Sequence, residues 1–139
     1  MIKKMLGQIL VEQGALSAHD VSTYQQEAEK EKIPFARYIQ EKKIVSQEAI
    51  AQAYAVQSGL PYLEKINDEM ADPLLLAKVP LRFLRENNII PLKEGSFIVL
   101  AVANPIHFAP IDDLNVVFGN QTKTVVATTK VIIDALNHY

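Results

Sequence analysis

Two stretches near the N-terminus of this chain follow one pattern. Leu6-Gly7-Gln8-Ile9-Leu10-Val11-Glu12-Gln13-Gly14-Ala15-Leu16-Ser17 and Phe35-Ala36-Arg37-Tyr38-Ile39-Gln40-Glu41-Lys42-Lys43-Ile44-Val45-Ser46 align at an offset of 29 residues. Leu10 falls on Ile39, Glu12 on Glu41, Leu16 on Val45, Ser17 on Ser46 and Val21 on Ile50. A fixed-period repeat signals a repeated supersecondary unit. Two copies are too few for a solenoid, so they must bury their apolar faces against each other or against the remainder of the chain.

Each copy reads as a helical hairpin. Leu6, Ile9, Leu10 and Gln13 sit at helical spacing before Gly14, a residue suited to the left-handed position after a helix. Ser17 is placed to cap a second helix, with Asp20 three residues on, and Val21, Tyr24 and Ala28 form its stripe. The run Glu27, Glu29, Lys30, Glu31, Lys32 reads as a solvated face. Pro34 restarts the pattern with Phe35, Tyr38 and Ile39; Ser46 then caps a fourth helix with Ile50, Ala53, Tyr54 and Gln57, ended by Gly59 and Pro61.

After Pro61 the texture changes. Tyr62-Leu63 reads as a short extended segment and Glu64 to Asp72 as a polar connection. Asp72 caps a helix over Leu74 to Lys78 with Pro73 at its first position, and Pro80 opens another over Leu81, Phe83 and Leu84. Ile89 to Leu92 is a strand, Lys93 to Ser96 a hairpin turn around Gly95, and Phe97 to Ala103 an apolar strand suited to burial on both faces. Pro110 to Phe118 is helical, with Ile111, Leu114 and Val117 expected inward and Gly119-Asn120 as its break. Thr122 to Ala127 is a β-branched strand, and Thr128 or Thr129 caps a last helix. The expected fold is therefore α+β: a lobe of two tandem helical hairpins over 1-61, then a small α/β sandwich with about three strands over 62-139.

Composition narrows the function. The chain has 139 residues, 49% hydrophobic and 22% charged, with net charge -2, enough for a real core and without the basic face of a sequence-blind nucleic-acid binder. It contains no cysteine, so no disulfide or thiolate site can form. No apolar run approaches the ~18 residues of a membrane span, and polar residues interrupt the N-terminal run after Lys3-Lys4, which argues against a signal peptide. A cytoplasmic location is expected.

No catalytic constellation is visible. The five glycines do not cluster into a phosphate loop, and His19, His107 and His138 have no partner at metal-ligand spacing. Asp112-Asp113 read as first-turn carboxylates at a helix N-terminus, and Ser17 and Ser46 as caps. The expectation is no catalytic residue, no metal and no cofactor.

The order Leu6-Gly7-x-x-Leu10-x-x-x-Gly14-x-Leu16-Ser17, Gln57-Ser58-Gly59-Leu60-Pro61-Tyr62, Ile89-Ile90-Pro91-Leu92, Val102-Ala103-Asn104-Pro105, Asp112-Asp113-Leu114 and Val126-Ala127-Thr128 resembles the N-terminal domain of type II secretion and type IV pilus assembly ATPases. The resemblance covers essentially the whole chain. It implies a non-catalytic module, normally followed by an ATPase domain of the same protein. Such a module docks the motor to the cytoplasmic part of an inner-membrane platform and is peripheral to that membrane through partners. Candidate docking faces are the edge strand around Tyr62-Leu63 and the polar faces of the first lobe.

Many members of the family bind cyclic-di-GMP through two tandem motifs. The resemblance carries a ligand role onto Leu6, Gly7, Leu10, Gly14, Leu16 and Gln57, with Ile39 at the second-copy leucine position and Arg37 as a displaced cation. This chain departs at Met5 and Ala28 in the first motif, and at Pro34, Phe35, Ala36 and Lys43 in the second. Losing a charge-assisted pair to phosphate costs roughly 1.5–3 kcal/mol, about tenfold or more in affinity. Lys3, Lys4 or Arg37 would have to compensate. The docking module is therefore the first reading and the cyclic-di-GMP sensor the alternative.

Overall fold

A computed structural model describes residues 5–119 and 122–138. Cα proximity divides the chain into two compact units, Met1–Gly59 and Leu60–Tyr139.

The described residues of the first unit form four helices: α1 (Leu6–Glu12), α2 (Ala18–Glu31), α3 (Phe35–Glu41) and α4 (Gln47–Ser58). α1 and α3 superpose on the repeat residue for residue. Ser17 and Ser46 cap α2 and α4, each hydroxyl accepting from the backbone N–H three residues on at 3.1 Å. Gly14 (φ 76°) and its repeat equivalent Lys43 (φ 55°) both adopt the left-handed conformation that reverses the chain between the helices of each hairpin. Leu6, Ile9, Leu10, Ala28, Tyr38, Ile39, Ile50, Ala51, Ala53, Tyr54 and Ala55 are buried, and α1 packs on both α2 and α4 while α2 packs on α3. Gly7 leaves room for Val21 of α2: a Cβ there would lie 2.7 Å from Val21 Cγ1.

The second unit starts with an extended segment in which Leu63 N–H donates to the Val126 carbonyl at 2.7 Å and Val126 N–H to that of Pro61 at 2.8 Å. A 3-10 turn (Asp68–Met70) and α5 (Pro73–Leu76) come next; Asp72 caps α5 by accepting from Leu74 N–H at 2.9 Å. Then come α6 (Leu81–Asn87), β1 (Ile89–Glu94), β2 (Phe97–Val102), α7 (Phe108–Val117), β3 (Thr122–Val126) and α8 (Thr129–Leu136), the last capped by Thr128. The sheet order is β1-β2-β3, with β1 antiparallel and β3 parallel to β2. β1 is an edge, the place where Pro91, lacking an N–H, is tolerated in a sheet. Val99 to Val102 are buried without a break, so the central strand is covered on both faces. Leu84, Ile90, Leu92, Leu100, Leu114, Ile132 and Leu136 lead this core.

Two expectations about α7 need correction. The helix begins at Phe108, two residues before Pro110, so Asp112 and Asp113 lie beyond its first turn, where the helix dipole gives little. Its inward residues are Ile111, Leu114 and Phe118, whereas Val117 is 48% exposed. At about 100° per residue, position 118 returns to within about 20° of 111, while 117 points about 120° away. Asn120, expected to help end this helix, lies outside the described residues.

Candidate functional site

The repeat lobe is where the sequence places candidate ligand contacts, and the structure distributes them unequally. α1 carries Leu6, Gly7 and Leu10, all buried, with Leu10 wholly inaccessible; Ile39 on α3 is equally inaccessible. These are core positions, held by the packing of α1 and α3 on their neighbours. Gly14 is exposed and serves the turn, Leu16 is half-buried, and Gln57 is half-buried in the last turn of α4. The pairing of α1 with α4 brings the α1 residues and the Gln57 helix together.

Among the described residues, charge is absent from the interior of this lobe. Every buried side chain among its described residues is apolar or aromatic. Arg37 is exposed and donates from Nε to Glu41 Oε1 at 2.7 Å, one turn along the same helix. That hydrogen bond, reinforced by the opposite charge, holds the guanidinium pKa above its ordinary value. Met5 stands exposed where the family motif has arginine. Lys3 and Lys4 lie outside the described residues.

A second cluster, between α2 and α3, is not signalled by the local sequence pattern. Tyr38 donates its hydroxyl to Glu27, and Lys42 Nζ lies 5.7 Å from the Tyr38 ring centroid while pairing with Glu31 at 3.5 Å. The Tyr24 ring stands 6.2 Å away. Glu27, expected as solvated, is half-buried and ties the two hairpins together, while Glu29, Lys30, Glu31 and Lys32 are exposed as expected. The hydrogen bond to Glu27, then burial and the nearby carboxylates, push the Tyr38 phenol up to about 12. Burial also raises Tyr54, partly offset by a hydrogen bond with Gln40. Tyr38 and Glu27 are eleven residues apart, across a turn whose geometry the local pattern leaves open.

The second unit has a pocket of about 280 Å³ between the 65–71 segment and α8, lined by Lys65, Asp68, Asp134 and His138 over Ile66 and Val131. None of its lining residues is a candidate ligand residue of the repeat lobe. Among the described residues no group of three or more histidines or carboxylates could hold a metal ion, and no helix is long and apolar enough to cross a membrane. The Ser17 and Ser46 hydroxyls are engaged as caps, so this geometry prepares neither as a nucleophile.

Comparison with known proteins fits this architecture. The MshEN domain model matches residues 58–139, well over half of the chain. The type IV pilus assembly ATPase PilB of Myxococcus xanthus (strain DK1622) is 22% identical over 135 residues, covering 96% of this chain but only 24% of PilB. A solved structure of MshE with cdg superposes with a TM-score of 0.78 at 18% identity, over 99% of each chain. The N-terminal domain of XpsE superposes with a TM-score of 0.70 at 20% identity, over 100% of this chain and 99% of that one. With its fold shared across that span and its second unit matching the domain model, this chain belongs to the MshEN domain family, the N-terminal domain family of type II secretion and type IV pilus assembly ATPases.

Proposed function

We propose that the two lobes, 1-61 and 62-139, act together as the N-terminal, non-catalytic module of a type II secretion or type IV pilus assembly ATPase. The module docks the motor to the cytoplasmic part of an inner-membrane platform, so the protein is cytoplasmic and peripheral to that membrane through its partners. A C-terminal ATPase domain of the same protein is the second partner, as the limited share of PilB matched by this chain supports. The observation that supports this reading is the uncharged interior that the described residues of the repeat lobe form: Leu10 and Ile39 are wholly buried and Arg37 is turned outward onto Glu41. A packed, uncharged core transmits position and force well and receives a phosphodiester poorly.

The alternative is a cyclic-di-GMP sensor, favoured by the likeness to MshE with cdg. In it Leu6, Gly7, Leu10, Gly14, Leu16, Arg37, Ile39 and Gln57 would frame the nucleotide, and Leu10 and Ile39 would have to leave their present packing. Isothermal titration separates the two. The chain is expected to bind the cytoplasmic domain of its platform protein and to give no heat with cyclic-di-GMP up to millimolar concentration. Micromolar nucleotide binding that Gln57→Ala weakens would reverse that order of preference.

A further inference from the structure

The outer face of α7 sets large exposed apolar side chains around Asp112 and Asp113, where a surface helix is normally polar. Phe108 and Val116 are 62% and 76% exposed and lie on one ridge with Asp112 between them, at spacings of four. Val117 continues the neighbouring ridge through Asp113, and Ile106 extends the patch just before the helix. Pro110, Ile111, Leu114 and Phe118 fill the opposite side with core contacts. A helix that buries one face normally carries polar residues on the other, and exposed apolar side chains gathered on one face mark an interaction surface.

The two aspartates say what covers it. They lie past the first turn, so the helix dipole does not account for them, and among the described residues neither makes an ion pair. An anionic lipid surface would be repelled by them. A second copy packed about a two-fold axis would present the same patch, and α7 carries no lysine or arginine to pair with the aspartates. A partner segment with an apolar stripe broken by arginine or lysine meets both features at once: its aliphatic side chains fit between the α7 ridges, and its cation pairs with Asp112 or Asp113. We infer that the outer face of α7 is a docking surface for a basic, amphipathic helix of a partner protein. This rests on the docking reading above and names its surface, which is neither the Tyr62-Leu63 edge nor a polar face of the first lobe.

The test titrates the platform protein's cytoplasmic domain into the wild-type chain, into Phe108→Ser and Val116→Ser, and into a double Asp112→Asn, Asp113→Asn variant. The serine variants are expected to weaken binding by about tenfold or more with unchanged unfolding temperature, because both side chains are solvent-exposed. The asparagine variant is expected to lose most of the salt dependence of binding. Wild-type binding that all variants retain at equal strength and salt dependence overturns the α7 surface and leaves docking intact. No wild-type binding overturns the docking reading and this inference with it. Binding of the chain alone to phosphatidylglycerol vesicles, or a dimer abolished by the serine substitutions, overturns the choice of partner.

Discussion

Tyr38 of the second hairpin donates its phenolic hydroxyl to Glu27 of the first, with Lys42 against its ring and Glu31 completing the cluster. The contact joins the two copies of the repeat outside their apolar core, in a stretch where the sequence shows only alternating charge.

This bond should make stability fall in alkali. The Tyr38 pKa rises from 10.0 to about 12 in the folded chain. Between those values the unfolded chain has lost a proton that the folded chain keeps, so unfolding releases protons and stability declines with pH. The contribution is complete below pH 10 and lost as pH rises through about 12. Unfolding midpoints of the wild type should drop across that window, and Tyr38→Phe should flatten the drop while lowering the midpoint at neutral pH. Equal slopes for both proteins would refute the assignment.

Gly7→Ala should destabilise the first unit. The added Cβ would sit 2.7 Å from Val21 Cγ1, and valine is stiff at χ1. Overpacking costs about 1–3 kcal/mol, against about 1 kcal/mol returned by alanine's helix propensity. A net loss of up to about 2 kcal/mol is expected in urea denaturation. In a double-mutant cycle, Val21→Ala should cost less beside Ala at position 7 than beside Gly.

The left-handed turn residues make opposite predictions in the two copies. Lys43→Gly relieves a side chain held at φ 55° and should stabilise by about 0.5–1 kcal/mol. Gly14→Ala imposes the same strain at φ 76° and should destabilise by about 1 kcal/mol. Denaturant midpoints of the two variants moving in one direction would contradict this turn geometry.

Leu10→Ala and Ile39→Ala should each cost about 2–5 kcal/mol, the range for truncating fully buried side chains. The loss should be the same with and without cyclic-di-GMP. A nucleotide that restored the wild-type midpoint selectively over the variants would instead point to these leucine-type positions as ligand contacts.

The local elements were largely legible in the chain. The 29-residue offset, Ser17 and Ser46 as caps, Asp72-Pro73 opening α5 and the apolar run from Phe97 all act through bonds or periodicities within a few residues, and the structure contains each of them. The α7 start was not legible, because Phe108 and Ala109 precede a proline that fits anywhere in the first turn, where no backbone N–H has an intrahelical partner to lose. The candidate ligand residues were legible only as a motif. Their identity names what a family member uses, while burial decides whether they can be reached, and burial is a property of how α1 meets α4.

The order of caps, turns and apolar periods in the sequence by itself determined four repeat helices followed by a three-stranded α+β unit. Tertiary structure alone decided that Leu10 and Ile39 are interior, that Glu27 receives Tyr38, and that α7 leaves Phe108 and Val116 bare around Asp112 and Asp113. The reason is physical. Caps and periodicity are set by neighbours along the chain, whereas exposure and charge pairing depend on side chains that only packing brings together.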